Sequence, residues 1–205
     1  SEVVRTAEQF DLVVIGGGPG GYAAAFYGAS AGLSVAMVEK DTIGGTCLNR
    51  GCIPAKAFLE TAAVNRHVTH AGEFGVNTSV PVVDFARSQQ RKEQIVAGLV
   101  KGLTGLTKSK KVTYLVGVGS LGANRTVTAQ LTDGSTRELQ GKKVVLASGS
   151  IPRTIPGFEI GGSIMTSDEV FALDYVPSRI AVIGGGAIGC EFASTFADLG
   201  STVTI

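Results

Sequence analysis

The chain has 205 residues, 44% of them hydrophobic and 17% charged, with 29 glycines and a formal net charge of +1. That is enough apolar content for a sizeable core, and the even charge balance gives no electrostatic reason to expect nucleic acid. No uninterrupted apolar stretch is long enough to span a bilayer, three cysteines are too few for a disulfide-stapled secreted scaffold, and no basic-then-apolar leader precedes Phe10. A soluble protein of a reducing compartment is expected, in the cytoplasm or alternatively the mitochondrial or plastid matrix.

Residues 10–15 read as a short apolar strand. Gly16, Gly18 and Gly21 follow in G-x-G-x-x-G order, with Pro19 and Gly20 inside the motif, and an alanine-rich helix runs to about Ala31. Residues 33–38 read as the next parallel strand, ending at Glu39, 18 positions beyond Gly21. This is a βαβ dinucleotide unit: the first glycine turns tightly, the second admits a pyrophosphate and the third lets helix and strand approach. The helix N-terminus stabilises phosphate, and Glu39 stands where a carboxylate accepts hydrogen bonds from ribose hydroxyls.

Cys47 and Cys52 come next, in GGTCLNRGCIPAK. A cysteine pair so close to a cofactor-binding turn points to electron transfer between a dithiol and that cofactor, and in a reducing compartment a bridge there is catalytic rather than structural. On an ideal helix, residues five apart point about 140° away from each other. Bridging them requires a distorted first turn, which leaves the bond labile. A structural bridge or two core thiols are the plainer alternatives; a zinc site lacks two further ligands nearby, so no metal is expected. Arg50 either favours a thiolate by its charge or is simply solvated. Lys56 lies on the same helical face as Cys52, one turn on.

A helix is expected over 54–68, a loop over 72–81 and a second helix over 85–107. Short strands follow at 112–116, 126–131 and 137–139, with Asp133-Gly134 as the hairpin turn. Residues 144–147 read as a further buried strand closing on Ser148, Gly149 and Ser150. The turn-rich stretch 152–177 leads to a strand at 180–183, and Gly184, Gly186 and Gly189 repeat the fingerprint 168 residues after the first, with Ala187 and Ile188 inside it. A helix is expected over 191–199, and residues 203–205 start another strand. The expected fold is α/β, with two Rossmann-like dinucleotide-binding domains of the three-layer ββα type: residues 1–150, carrying the cysteine pair, and residues 151–205, a truncated second domain. Cys190 reads as a small helix residue packed on the sheet, and His67 and His70 as surface residues.

VVIGGGPGG, GGTCLNRGCIPAK, VLASGSIPR and VIGGGAIGCEFA, in this order and across most of the chain, resemble the flavin-dependent disulfide oxidoreductases that use pyridine nucleotides. Leu48 and Ile53 are similar to the lipoamide branch of that family, whereas its glutathione and mercuric reductases usually carry valine at both places. Ala55, where the lipoamide enzymes commonly have serine, departs from the pattern, and Ser148 replaces the common threonine while keeping a hydroxyl.

The resemblance implies FAD at Gly16, Gly18, Pro19, Gly20, Gly21, Glu39 and Lys40, with Gly45 and Thr46 bringing backbone groups to its phosphates or ribose. It also implies a backbone contact from Gly119 to the adenine, and Ser148, Gly149 and Ser150 beside the flavin. NAD is implied at Gly184, Gly186, Ala187, Ile188 and Gly189. Four residues carry implied catalytic roles: Cys47 and Cys52 as the redox-active disulfide, Cys47 exchanging with substrate and Cys52 facing the flavin, and Lys56 near the flavin, paired with Glu191. Asn49 and Pro54 shape the turn. The activity implied is oxidation of a dihydrolipoyl group, carried by a lipoyl domain of a 2-oxoacid dehydrogenase complex, with reduction of NAD+ to NADH. A homodimer is implied, the partner subunit's C-terminal domain supplying a His-Glu base that neither His67 nor His70 matches. A related NAD(P)H-dependent disulfide or mercuric reductase, and a non-catalytic FAD-binding fragment or structural subunit, are the other readings. Residues beyond Ile205 would decide NAD against NADP.

Overall fold

Continuous apolar runs in the first third of the chain predispose it to strands buried on both faces, and the computed structural model, which describes residues 6–205, shows them so. The residues before Phe10, in which no leader is expected, lie partly outside the described ones. The elements are mixed α and β and fall into two compact units, the chain up to Asn49 with Gly98–Ile151, and Arg50–Ala97 with Pro152–Ile205.

In the first unit, β1 (Glu8–Ile15) lies between β2 (Val35–Glu39) and β5 (Thr136–Leu146), parallel to both, and β3 (Thr113–Leu121) pairs parallel with β2. β4 (Thr126–Leu131) then pairs antiparallel with β3 and β5 and closes the five strands into a ring. Side-chain alternation divides the apolar residues. Val13, Ile15, Ala36, Val38, Leu115, Val127, Ala129 and Leu139 form one cluster. Val14, Val35 and Met37 point the other way, packing with Ala25 and Phe26 of α1 (Pro19–Ser30) and with Val100 and Leu103 of α4 (Phe85–Ser109). Because β2 feeds both clusters, all five of its residues are buried.

The expected hairpin is present. Gly134 has φ +85°, its N–H donates to Leu131 O at 3.0 Å, and Asp133 Oδ1 accepts from the Ser135 N–H at 2.8 Å, a glycine-closed turn of the kind that Asp-Gly favours. The two strands expected at 137–139 and 144–147 are one strand, β5. Gly141 and the exposed Lys142-Lys143 break the apolar pattern between them, yet the ladder to β1 runs on through Phe10–Gly141 and Leu12–Lys143. Gly141 marks a close approach: a Cβ there would lie 2.6 Å from Lys143 O and 3.2 Å from Val13 Cγ2. Pairing with β4 stops at Gln140, just before it.

The second unit holds α3 (Cys52–Thr69), the first part of α4, the short α5 (Ser167–Val170), α6 (Ala187–Asp198) and the parallel pair β6 (Arg179–Ala181) and β7 (Thr202–Thr204). Its core is aromatic: Phe58, Phe85, Phe171, Phe192 and Phe196 with Val170, the Phe58–Phe85 and Phe171–Phe192 rings 5.1 Å apart between centroids. Helix α5, inside the turn-rich stretch 152–177 where no helix is expected, is started by a capping box in which the Thr166 side chain accepts from the Asp168 N–H and Glu169 reaches back to the Thr166 N–H. Its C-terminal carbonyl, Phe171 O, accepts from Gln89 Nε2 at 2.8 Å and from Lys92 Nζ at 3.0 Å, both on α4. The end of α6 is tied to α3 by Asn65 Nδ2 on Asp198 O and Arg66 Nη1 on Asp198 Oδ2, each at 2.7 Å. Among the described residues no helix is long and apolar enough to cross a membrane.

Candidate functional site

The first fingerprint has the backbone its spacing requires. Gly16, at the end of β1, has φ +103°, and a Cβ there would stand 2.1 Å from Ala147 O. Gly18 is the extended N-cap of α1, Pro19 opens the helix, and no side chain caps it, so the first-turn N–H groups of Gly20 and Gly21 remain for an anion. A Cβ on Gly21 would lie 1.8 Å from Gly16 O, which is why helix and strand can meet there. The next cysteine-bearing segment presses on this turn: the Gly44 N–H donates to Gly17 O at 2.9 Å, and Gly45, at φ +60°, comes so near that a Cβ on it would be 2.6 Å from Gly18 Cα. Helix α2 (Gly45–Arg50) therefore starts against the start of α1, with Thr46 exposed and Cys47 half-buried in its first turn. An uncapped α1 N-terminus flanked by Gly44 and Gly45 is a cradle that fits a dinucleotide diphosphate.

Glu39, only 7% exposed, closes one side of the cradle. Its Oε2 accepts from the Gly17 N–H and its Oε1 from the Asp41 N–H at 2.8 Å. An ionised carboxylate offers about four lone-pair sites. Two are used in clamping the glycine turn, a task that its spacing did not announce, and acceptor sites remain for hydroxyls. Lys40 follows it, exposed. Ser148 adjoins Gly16 because the Ala147 N–H continues the ladder to Ile15 O at 2.8 Å; Gly149, at φ +74°, and Ser150 follow in open space. Gly119 lies in β3 rather than in a loop, and a Cβ there would approach Ile15 Cγ2 to 3.2 Å and Val38 Cβ to 3.3 Å. Its small size is thus also a packing requirement.

The second fingerprint repeats the first in backbone as well as letters. Gly184 has φ +115°, Gly186 is an uncapped extended N-cap, and a Cβ on Gly189 would lie 2.0 Å from Gly184 O. Ala187 and Ile188 open α6 on the surface. Cys190, expected to pack against the sheet, is instead exposed, its thiol turned back to Gly185 O of the preceding glycine turn at 3.3 Å. Glu191, one position on, forms the expected ion pair with Lys56 at 2.5 Å, in a half-open setting with 33% and 59% of the side chains exposed.

Between the cysteines the distortion expected of one helix is a full break. Helix α2 ends at Arg50, Gly51 leaves helical geometry at φ −148°, ψ −111°, and α3 starts at Cys52. Cys52 is exposed, while Pro54, Ala57 and Phe58 anchor the helix below it. His67 and His70 are on the surface, as expected, and His70 Nδ1 meets Glu73 Oε1 at 2.9 Å. Sequence reasoning missed Gly17 and Gly44, which sit at unspecified positions of their motifs, and Tyr114, whose phenol is pushed upward by burial and by the nearby Glu39 and Asp41 charges. It also missed Lys92, one lysine among several on a polar helix, which is buried with its ammonium 5.8 Å from the centre of the Phe58 ring.

Residues 10–205 match the family described as pyridine nucleotide-disulphide oxidoreductase. The dihydrolipoyl dehydrogenase of Chlamydia pneumoniae is 43% identical over 198 residues, covering 97% of this chain and 42% of that protein. A dihydrolipoyl dehydrogenase of Bacillus subtilis is 41% identical over 208 residues, covering 97% and 44%. The mitochondrial dihydrolipoyl dehydrogenase of Dictyostelium discoideum is 41% identical over 203 residues, covering 98% and 42%. The chain thus spans less than half the length of these relatives. Among solved structures, LpdA from Mycobacterium tuberculosis superposes with a TM-score of 0.86 at 27% identity, over 96% of this chain and 44% of that one. The HOCl-induced flavoprotein disulfide reductase RclA from Escherichia coli, solved as a Cu(II) complex, superposes at 0.78 with 28% identity, over 96% and 42%. With its glycine turns and cysteine segment arranged as described and the match running over residues 10–205, the chain belongs to the pyridine nucleotide-disulphide oxidoreductase family.

Proposed function

We propose that this chain is part of a dihydrolipoyl dehydrogenase. The observation that carries the reading is the close approach of Gly45 to Gly18, which sets Cys47 in the first turn of a helix starting at the dinucleotide cradle. The relatives named dihydrolipoyl dehydrogenase, matched over nearly the whole chain, support the choice of substrate.

On this reading residues 1–150 are an FAD-binding Rossmann-like domain and residues 151–205 the first part of an NAD-binding one. Gly16, Gly18, Pro19, Gly20, Gly21, Glu39, Lys40, Gly45, Thr46, Gly119, Ser148, Gly149 and Ser150 hold FAD. Gly184, Gly186, Ala187, Ile188 and Gly189 hold NAD. FAD, when bound, supplies the two-electron link between dithiol and nicotinamide.

The sulfur chemistry belongs to the chain. A substrate thiolate attacks Cys47 Sγ, the Cys47–Cys52 bond breaks and Cys52 leaves as the thiolate. The second substrate thiol, deprotonated by the His-Glu base expected from the partner subunit, displaces Cys47 and closes the lipoyl disulfide. One disulfide has been formed and one reduced, so the electron pair now rests on the two cysteines. Lys56, held by Glu191, is the positive charge expected beside the flavin. The full-length protein acts as a homodimer, its substrate arm carried by a lipoyl domain of a 2-oxoacid dehydrogenase complex, in the cytoplasm or alternatively a mitochondrial or plastid matrix.

Anaerobic titration of the full-length flavoprotein with dihydrolipoamide tests this. New long-wavelength absorption from the reduced cysteine pair, followed by NADH formation when NAD+ is added, is expected; flavin bands that do not respond to the dithiol would overturn the substrate assignment.

A further inference from the structure

Helix α2 has only six residues, too short to hold itself together, and the N–H of Leu48 reaches Gly44 O at a stretched 3.4 Å. Something else must fasten the turn that carries Cys47. The side-chain amide of Asn49 folds back over the head of the helix and meets three carbonyl oxygens: Thr42 O at 3.3 Å, Ile43 O at 3.2 Å and Gly45 O at 3.0 Å. All three neighbours are acceptors, so the nitrogen of the amide must face them. Two of these carbonyls precede the helix and one belongs to its first residue. The bridge therefore locks the angle at which the chain enters α2.

That angle is constrained from the other side by the cradle. Gly44 is bonded to Gly17, Gly45 touches Gly18, and Ile43 is buried with 1% exposed. A change in how residues 42–45 turn would swing the first turn of α2, and with it Cys47 Sγ, relative to the glycine turn. We propose that Asn49 is a positioning residue for the dithiol reaction, holding the turn that carries Cys47 against the first dinucleotide turn through its amide donors. The inference rests on the function proposed above, and its chemistry is orientation alone.

The test uses the full-length flavoprotein with Asn49→Leu, which keeps the volume and removes the donors, Asn49→Asp, which keeps the shape and turns the donor edge into a carboxylate facing three carbonyls, and Asn49→Gln, which keeps the amide. Two rates are measured in each: anaerobic reduction by dihydrolipoamide, which requires Cys47, and NADH oxidation by a one-electron acceptor dye, which bypasses the cysteines. Asn49→Leu and Asn49→Asp are expected to slow the dithiol reaction roughly ten- to a hundredfold while the dye reaction and flavin content stay within twofold, and Asn49→Gln to recover part of the loss. Equal loss of both rates, or loss of flavin, in the Leu and Asp variants would make Asn49 a general structural support and overturn the inference. Unchanged dithiol rates would overturn it too. Failure of the unmodified protein to react with dihydrolipoamide would instead count against the proposed function, so the two failures are separable.

Discussion

Replacing Gly21 by alanine sets two effects of opposite sign against each other. Alanine favours a helix over glycine by about 1 kcal/mol, so on propensity alone the change would stabilise α1. The added methyl, however, would stand 1.8 Å from Gly16 O and 2.8 Å from Gly16 C, and both are main-chain atoms of the turn itself. An unstrained carbon-to-carbonyl-oxygen contact is about 3.3 Å, so the overlap is about 1.5 Å and no rotamer change can relieve it. Overfilling a tight site costs about 1–3 kcal/mol, occasionally more, and here the strand end and the helix start would both have to move. Less the propensity gain, a net loss of up to about 2 kcal/mol is expected. Gly102 in α4 provides the matched control, since nothing lies within 4 Å of a Cβ there. Gly102→Ala should gain about 0.5–1 kcal/mol. Urea unfolding of the full-length protein, followed by backbone circular dichroism and flavin fluorescence, should place the Gly21→Ala midpoint below wild type and the Gly102→Ala midpoint above it, with flavin lost only from the former. A Gly21→Ala protein as stable as the Gly102→Ala protein would refute the reasoning.

Three further outcomes are expected. Glu39→Gln points an NH2 group at the Gly17 or Asp41 N–H and should cost about 1–3 kcal/mol in urea unfolding together with weaker flavin retention; a neutral effect on both would remove the clamp. A double-mutant cycle on Lys56 and Glu191 should return a coupling of no more than about 1 kcal/mol, because both side chains are partly solvated, and a value of several kcal/mol would contradict that. Burial holds the Lys92 ammonium below its ordinary value of 10.5, so between its native pKa and 10.5 the unfolded chain binds more protons than the folded one and stability gains a rising term with pH. Lys92→Met should flatten that alkaline rise in the urea midpoint; parallel slopes for the two proteins would exclude Lys92 as its source.

The two fingerprints, the Asp133-Gly134 turn and the Lys56–Glu191 pair were legible because each depends on residues at set spacings or on a resemblance that carries the spacing with it. The helix break at Gly51 was half legible: the geometry of residues five apart demanded a distortion without saying that the helix would stop. The strand at Val144 was seen and its continuity with Thr136 was not, since Lys142 and Lys143 interrupt the apolar pattern while the ladder to β1 runs on. Helix α5 announced itself only through Thr166 and Glu169, a signal hidden among turn formers.

By itself the sequence determined where the chain turns and where it can meet a phosphate, because a positive φ or an uncapped helix start is a local property written in glycine and proline. Only the tertiary structure decided what those places touch. β4 closes the strands into a ring, Glu39 clamps Gly17, and Lys92 is drawn among phenylalanines to reach Phe171 O. Such contacts join residues tens of positions apart, and their energy depends on the burial and the partners that packing supplies, quantities that no spacing along the chain contains.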